Sequence, residues 1–290
     1  MTVYLNGAFL PRADARVPVD DRGFLFGDGV YEVTRAHGGV LFEAARHLRR
    51  LDRSLDGVAI ALAPEVRAAL LGVWERLLGA NGLETGDATV YLQVTRGVAE
   101  RRHQFPPRGT LPTVFASASR LQPPDELRER GATVILTPDL RWGRCDLKTI
   151  NLLPNVLAKQ RAVAAGAFEA VLVRNGVVTE GASSNVFALL DGTLWTHPAT
   201  PAILAGITRE VVLELAHEAG IPVREEALSV PAFAEAAEIF VTATTADVMP
   251  VVRVDDRVVG GGRPGPVARG LAAALRARLD GAAARATSPS

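Results

Sequence analysis

Two periodicities of apolar residues divide the first 120 residues into short strands and helices. Two apolar runs surround Asn6-Gly7 within residues 3–10, an arrangement that is typical of a β-hairpin. Apolar residues at helical spacing predict two helices, the second of which has Pro64 in its first turn. Alternation of apolar and polar residues predicts three strands. The helices are expected over 44–55 and 64–78, and the strands over 30–35, 89–96 and 113–117.

The same periodicities continue in the second half of the chain. Residues 120–124 are interpreted as a linker between a small domain, 1–119, and a larger domain, 125–281, and residues 282–290 are expected to be a disordered tail. Arg174-Asn175-Gly176 predicts a tight turn between two strands. The strands are expected over 132–136, 167–173, 177–179, 194–198 and 238–246, a last hairpin over 254–262, and the helices over 156–165, from 206 onwards and over 264–279.

Composition restricts the classes of function. The chain of 290 residues has 32 acidic and 32 basic residues, so its formal net charge is +0. This balance argues against nucleic acid or an anionic membrane surface as the main partner. The single cysteine, Cys145, allows no intrachain disulfide, and the chain shows no signal peptide and no apolar run long enough to span a membrane. A cytoplasmic protein is therefore expected.

Lysine is almost absent from the chain. Of the 32 lysine and arginine residues only Lys148 and Lys159 are lysines, and only an amine can lose its proton and form an imine with an aldehyde. Lys159 occupies a polar position of a predicted helix and is interpreted as a surface charge. Lys148 lies among apolar residues that could bury the amine, although a lysine extending from a strand edge would look the same.

Two stretches of the predicted small domain carry groups that could bind a substrate. Alternation along 30–35 places Tyr31 and Val33 on one face of a strand that follows a glycine-rich loop. A second loop contains Arg101 and His103, and an arginine fork matches the two oxygens of a carboxylate. The alternative for this loop is an exposed basic segment without a ligand.

Three stretches of the predicted larger domain suit a charged ligand. Glu180 opens a serine-rich turn, where its carboxylate could accept a hydrogen bond from a ligand or the turn could simply cap itself. A helix that begins at Gly206 offers free N–H groups to a phosphate, as many helices without a ligand also do. The threonines of residues 242–245 offer hydroxyls.

Together these groups are the set that a pyridoxal phosphate enzyme requires. A lysine holds the aldehyde as a Schiff base, and a carboxylate keeps the pyridine nitrogen protonated. N–H groups, hydroxyls and an arginine anchor the phosphate. The lysine, once released by the substrate, acts as the base that moves the α-carbon proton. No metal is assigned.

The order of the motifs resembles that of the fold-type IV pyridoxal phosphate enzymes, which include D-amino-acid aminotransferases, branched-chain aminotransferases and aminodeoxychorismate lyases. The resemblance covers the chain up to its C-terminal tail. It implies a mixed α/β fold of two domains, a small N-terminal α/β domain and a larger C-terminal domain with a barrel-like β core. The motifs are Asp-Arg-Gly-Phe-Leu-Phe-Gly-Asp-Gly-Val-Tyr-Glu-Val, His-Leu-Arg-Arg-Leu, Leu-Lys, Asn-Leu-Leu, Thr-Glu-Gly-Ala-Ser-Ser-Asn-Val-Phe, Gly-Ile-Thr-Arg and Thr-Ala-Thr-Thr.

The resemblance also implies a role for each matching residue. Lys148 would be the Schiff-base lysine and proton shuttle, and Glu180 would pair with the pyridine nitrogen. Arg50 would be the phosphate arginine, which helical spacing alone does not distinguish from its neighbours. The other cofactor-binding residues would be Ser183, which supports the cofactor, Leu204, which packs near the ring, and Ile207, Thr208 and Thr244, which bind the phosphate.

Within the family, the D-amino-acid branch is the closest match. Its Arg-Gly-x-x-x-Arg-x-His-Gln-Phe-Pro loop is reproduced over 96–106, so Arg101, His103 and Tyr31 would bind the substrate carboxylate, with Val33 beside them. In that branch the loop serves the neighbouring subunit, which implies a homodimer. The segment 34–37 is more basic than expected there, and this could alter side-chain preference.

The resulting prediction is a transaminase that moves an amino group from a D-amino acid to a 2-oxo acid in two half-reactions. The alternatives are a branched-chain or broad-specificity L-amino-acid transaminase, an aminodeoxychorismate lyase, and a pyridoxal phosphate carrier without catalytic activity. Small molecules are the expected partners, and neither nucleic acid nor a membrane is.

Overall fold

The computed structural model describes residues 1–287, which form fifteen strands, eight α-helices and two short 3-10 helices. In chain order the strands are β1 (Thr2–Leu5), β2 (Ala8–Pro11), β3 (Gly29–His37), β4 (Val40–Leu41), β5 (Asp87–Thr95), β6 (Thr113–Arg120), β7 (Ala132–Pro138), β8 (Glu169–Arg174), β9 (Val177–Gly181), β10 (Asn185–Leu190), β11 (Thr193–Thr196), β12 (Val223–Glu225), β13 (Glu238–Ala243), β14 (Asp247–Val254) and β15 (Arg257–Val258). The helices are α1 (Arg22–Phe26), α2 (Ala44–Gly57), α3 (Pro64–Ala80), α4 (Asp125–Arg130), α5 (Leu153–Ala164), α6 (Ile207–Glu218), α7 (Val230–Ala234) and α8 (Pro266–Thr287).

The chain divides into two compact units that are not continuous in sequence. Unit 1 contains Met1–Gln122, Leu147–Asn151 and the end of the chain from Asp280, and unit 2 contains Pro123–Asp146 and Leu152–Leu279. The short segment that carries Lys148 therefore belongs to unit 1. The domain division at a 120–124 linker stays a prediction, although β6 already includes Arg120.

Unit 1 is a six-stranded antiparallel sheet covered on one face by α2 and α3. The strand order is β2-β1-β6-β5-β3-β4. The covered face is mostly apolar, and its core includes Leu51 and Trp74 of the two helices. Alternate residues of β3 face the other way, so Tyr31 and Val33 lie on the uncovered face, as the alternation predicts.

Unit 2 is built on a nine-stranded mixed sheet with the path β12-β11-β10-β13-β14-β7-β8-β9 and β15 on the side of β14. The parallel pairs are β11 with β12, β14 with β7, and β7 with β8. One large apolar cluster includes Val134, Val171, Ile239 and Met249. Glu180 is the penultimate residue of β9, so the sheet fixes the position of its backbone.

The structure corrects the sequence prediction in the glycine-rich loop and at the end of the chain. The loop contains α1, which the sequence analysis missed because its five residues are too few for a helical periodicity; Asp21 caps it by accepting from Gly23 N–H at 2.8 Å. The disordered tail predicted from residue 282 is wrong for 282–287, where α8 continues through an alanine-rich sequence of high helix propensity. Residues 288–290 lie outside the described residues.

Candidate active site

The Lys148 segment pairs with the start of β3. Tyr31 N–H donates to the Lys148 carbonyl at 2.9 Å, and Thr149 forms an antiparallel bridge with Val30. Lys148 N–H donates to Ser54 Oγ of α2 at 3.1 Å. The half-buried Lys148 side chain places its Nζ 4.2 Å from the centre of the Tyr31 ring. The structure therefore brings together two residues, Lys148 and Tyr31, that are far apart in sequence and that the resemblance assigns to one site.

A buried ion cluster lies on the other face of β3. Glu32 is fully buried and accepts from Arg50 Nε and Nη2, both at 2.8 Å, and from the His47 ring at 2.9 Å. Burial by itself would raise the pKa of Glu32, but Arg50 and His47 more than offset it and lower that pKa to about 2. Burial lowers the pKa of His47. Of the arginines on α2 only Arg50 is buried, a distinction that helical spacing did not make.

The loop that carries Arg101 and His103 is exposed in the chain. Both side chains contact Phe26 of α1, with the Arg101 guanidinium 5.2 Å and the His103 ring 5.7 Å from the centre of its ring. The loop is anchored by Arg22, whose Nη1 donates to the Arg102 carbonyl at 2.6 Å. The structure thus places both side chains against the same aromatic ring, and their predicted role stays a prediction.

Three charged residues at the base of this loop were missed by the sequence analysis. Asp28 accepts from Arg22 Nε at 2.8 Å and from Arg96 Nε and Nη2 at 2.8 and 2.9 Å. Burial would raise the pKa of Asp28, but Arg96 and Arg22 lower it. The loop motif includes Arg96, but its pairing with Asp28 is not predictable from the sequence, because the two residues are 68 positions apart.

Glu180 of unit 2 is buried among hydrogen-bond donors. Arg141 donates to its Oε1, Asn185 Nδ2 donates to its Oε2 at 3.0 Å, and Leu204 N–H lies 3.2 Å from both oxygens. Burial raises the pKa of Glu180 to about 7, against the opposing effect of Arg141. The sequence analysis identified Glu180 but neither Arg141 nor Asn185.

The start of α6 offers free N–H groups. Gly206 precedes the helix, and no side chain within residues 1–287 caps its first turn, so the N–H groups of Ile207 and Thr208 have no partner within the helix. Thr242 Oγ1 on the neighbouring strand β13 is buried and has no hydrogen-bond partner among the described residues. Thr242 lies directly opposite Asn185 across the sheet. Uncapped N–H groups and an unpaired hydroxyl are the donors that bind a phosphate.

The remaining predicted positions of unit 2 are placed as follows. Thr244 is half-buried in the turn that follows β13, and Leu204 is half-buried in the loop before α6. Ser183 is exposed, and its hydroxyl donates to Glu169 Oε2 at 2.7 Å.

Lys159 keeps 38% of its side chain exposed, in agreement with its interpretation as a surface charge. Its Nζ donates to the Phe168 carbonyl and lies 3.5 Å from Glu169 Oε1, because the last turns of α5 pack on the start of β8. Lys159 therefore forms a partly buried ion pair, which a helical pattern by itself could not reveal.

The fold and these residues define the class of the protein. Residues 29–254 match the family described as "Amino-transferase class IV", and the chain belongs to this family. It is 42% identical over 276 residues to a D-alanine aminotransferase of Bacillus licheniformis, with 95% of this chain and 96% of the relative covered. It is 43% identical over 269 residues to a D-alanine aminotransferase of Staphylococcus haemolyticus, covering 93% and 94% of the two chains.

Solved structures of the same fold are also similar. The branched-chain amino acid aminotransferase of Escherichia coli superposes with a TM-score of 0.91 at 28% identity, covering 97% of this chain and 95% of that one. The T.th. branched-chain amino acid aminotransferase, complexed with N-(5'-phosphopyridoxyl)-L-glutamate, gives a TM-score of 0.86 at 28% identity, covering 97% and 94%. The predicted fold-type IV class and the predicted aminotransferase family are confirmed. None of the helices in the described part of the chain is long and apolar enough to cross a membrane.

Proposed function

We propose that this chain is a pyridoxal-phosphate-dependent transaminase that moves an amino group from a D-amino acid, with D-alanine among its substrates, to a 2-oxo acid. The observation that carries the proposal is the 41–43% identity to several D-alanine aminotransferases over 93–95% of the chain. The branched-chain enzymes share the fold at a lower identity of 28%. Their similarity therefore supports the fold more strongly than it supports the alternative substrate.

The residues present fit the proposed cofactor. The uncapped start of α6 and the unpaired Thr242 hydroxyl suit a phosphate, and the buried Glu180 carboxylate suits a protonated ring nitrogen. When bound, pyridoxal phosphate supplies an electron-withdrawing ring that accepts the electron pair left when the substrate loses its α-proton. The residues proposed to hold it are Arg50, Lys148, Glu180, Ser183, Leu204, Ile207, Thr208 and Thr244.

Lys148 is the proposed catalytic base. Its amine would take the proton from the α-carbon of the donor amino acid in the first half-reaction and return a proton to the α-carbon of the acceptor in the second. Tyr31 limits the positions of the amine, since the Lys148 Nζ lies 4.2 Å from the Tyr31 ring centre and the two backbones are hydrogen-bonded. Val33 lies two residues along the same face and would contact the substrate side chain.

Arg101 and His103 are proposed to bind the substrate carboxylate in a homodimer, each loop serving the partner subunit. Their exposure in the single chain and the ion pairs that hold the loop base are consistent with such a role. An apolar face of α5 supports the dimer, because its residues at helical spacing are each more than half exposed. These residues are Leu153, Val156, Leu157 and Val163. A cytoplasmic location is also proposed, consistent with the single cysteine.

A comparison of D- and L-amino acids tests the proposal. Purified protein with pyridoxal phosphate and 2-oxoglutarate is given D-alanine, L-alanine or L-leucine, and the 2-oxo acid formed is measured. We expect product from D-alanine only. Product from L-leucine alone would move the function to the branched-chain alternative, and bound cofactor without amino transfer from any donor would favour a carrier or a lyase.

Variants of the Arg101 loop sharpen this test. Arg101→Met should raise the KM for D-alanine about tenfold or more, because a charge-assisted hydrogen bond to the carboxylate is lost. Arg102→Met is the matched control, since Arg102 is an exposed arginine of the same loop that pairs with Glu100. Equal KM values for the two variants would contradict the role of Arg101.

A further inference from the structure

Glu180 is the inner end of a continuous row of four side chains of alternating charge in unit 2. Arg174 Nη2 lies 3.0 Å from Asp139 Oδ2, Asp139 binds Arg141, and Arg141 donates to Glu180 Oε1. Only Arg174 is appreciably exposed, at 27% of its side chain, while the other three are at most 6% exposed. The two positive and two negative charges balance, so the row is neutral as a whole.

Asp139 fixes Arg141 in one orientation. Arg141 donates to Asp139 through Nε at 2.9 Å, Nη2 at 2.8 Å and its backbone N–H at 3.1 Å. The Thr179 hydroxyl adds a further donor to Asp139 at 3.1 Å. Such a two-pronged arginine–carboxylate pair leaves the guanidinium little freedom, so its remaining Nη1 is directed at Glu180.

The partners of Glu180 can only donate. A guanidinium, a backbone N–H and, with the assigned amide orientation, the Asn185 Nδ2 surround its two oxygens. A protonated Glu180 would direct its O–H at these donors without an acceptor, so the arrangement favours the ionised carboxylate. Burial acts in the opposite direction and raises the Glu180 pKa to about 7, so Arg141 has a large influence on the charge of Glu180.

We propose that Arg141, held by Asp139, is a positioning residue that keeps Glu180 ionised and thereby keeps the ring nitrogen of the bound cofactor protonated. The inference rests on the proposed function, because it requires that Glu180 faces the pyridine ring. The new element is that the charge of Glu180 depends on Arg141, a residue that is not proposed to touch the ring. Arg174 neutralises Asp139 from the outer end of the row and has no contact with Glu180 among those described.

The test compares two cofactors in two variants. Pyridoxal phosphate and its 1-deaza analogue, which has carbon in place of the ring nitrogen, are titrated into the apoprotein at pH 6.5 and 8.5, and binding is followed by absorption. Arg141→Met should weaken the binding of pyridoxal phosphate about tenfold at pH 6.5 and less at pH 8.5. Without Arg141 the pKa of Glu180 rises, so less of the carboxylate is ionised at the lower pH. The same variant should change the affinity for the deaza analogue less than about threefold.

A second readout reports the ring nitrogen itself. The nitrogen chemical shift of bound [15N]pyridoxal phosphate should move from its protonated towards its unprotonated position in Arg141→Met. Arg174→Met is the matched control and should leave both affinity and shift unchanged. If Arg141→Met does not fold, the double variant Asp139→Asn/Arg141→Met is used in its place. It removes one positive and one negative charge together, and the expected results are the same.

The outcomes separate this inference from the proposed function. If Arg141→Met weakened the binding of both cofactors equally, or left the nitrogen chemical shift unchanged, the proposed role of Arg141 would be overturned and the transaminase proposal would stay intact. Failure of the wild-type protein to bind pyridoxal phosphate would instead overturn the proposed function and the inference with it.

Discussion

The buried cluster of Glu32, His47 and Arg50 shows how single residues hold charge inside unit 1. Glu32 has no exposed surface, and its two oxygens accept three hydrogen bonds from Arg50 and His47. A buried carboxylate without partners would be protonated, so Arg50 and His47 keep Glu32 ionised. Arg50 is thereby fixed in position by Glu32.

Glu32→Gln should make the protein less stable near pH 7 by about 3–5 kcal/mol, because Arg50 loses its buried counter-charge. The pKa of Glu32 is lowered from 4.5 to about 2, so the carboxylate stabilises the fold above pH 4.5 and this contribution is lost as the pH falls towards 2. The difference between wild type and variant should therefore shrink over this range. Urea unfolding at pH 7, 4.5 and 3 measures it.

Glu43→Gln is the control for this prediction. Glu43 forms an ion pair with Arg46 at 2.9 Å, but both side chains are 24% exposed. We expect a change of less than about 1 kcal/mol. A difference for Glu32→Gln that is as small as this, or that grows as the pH falls, would show that the buried pair does not stabilise the fold.

At the scale of elements, the start of α6 depends on close packing against β10. A Cβ added at Gly206 would lie 2.1 Å from Asn185 Oδ1, while the Gly206 φ of −72° is ordinary for any residue. Asn185 Nδ2 also donates to the Leu204 carbonyl at 2.8 Å and to Glu180 at 3.0 Å. The Asn185 side chain therefore connects the loop before α6, where a phosphate is proposed to bind, to the Glu180 carboxylate.

Gly206→Ala should displace Asn185 and destabilise the protein by about 1–3 kcal/mol, the usual effect of overpacking. Pyridoxal phosphate should bind more weakly as well, since the displaced side chain holds both Leu204 and Glu180. Thermal unfolding and a cofactor titration give the two values. Gly270→Ala in α8 is the control, because its Cβ would meet nothing within 4 Å, and it should be neutral or stabilising by up to about 1 kcal/mol. Equal effects of the two substitutions would rule out the steric explanation.

At the scale of the whole molecule, the exposed apolar face of α5 bears on assembly. Leu157→Arg places a charge in the middle of this face and should raise the dissociation constant of the proposed dimer at least about tenfold. D-alanine transamination should fall with the dimer, because the proposed carboxylate-binding loops would serve the partner. Sedimentation velocity and activity over a concentration series measure both.

The control for the assembly prediction is Leu71→Arg on α3, a leucine that is also exposed, at 39%. It should leave assembly and activity unchanged. A Leu157→Arg protein that remains dimeric would show that α5 does not form the interface, and an active monomer would show that Arg101 and His103 serve their own chain.

Local signals in the sequence determined much of the fold. The two-residue turns at Asn6-Gly7 and Asn175-Gly176 both form hairpins, and the strand with Tyr31 and Val33 has the alternation that its residues predict. The predicted aminotransferase function is supported by the family and by the D-alanine aminotransferase relatives. The predicted roles of the individual site residues stay predictions.

The sequence by itself determined which segments form strands and turns, because these depend on residues a few positions apart. It also indicated Lys148 and Glu180, since a rare amine and a carboxylate at a turn are visible in the letters. Only the tertiary structure decided which arginines are buried beside which carboxylates. Arg141 reaches Glu180 across 39 positions, and Arg96 reaches Asp28 across 68. No local pattern encodes such pairs, because the charge of a buried carboxylate is set by whichever donors the fold brings to it.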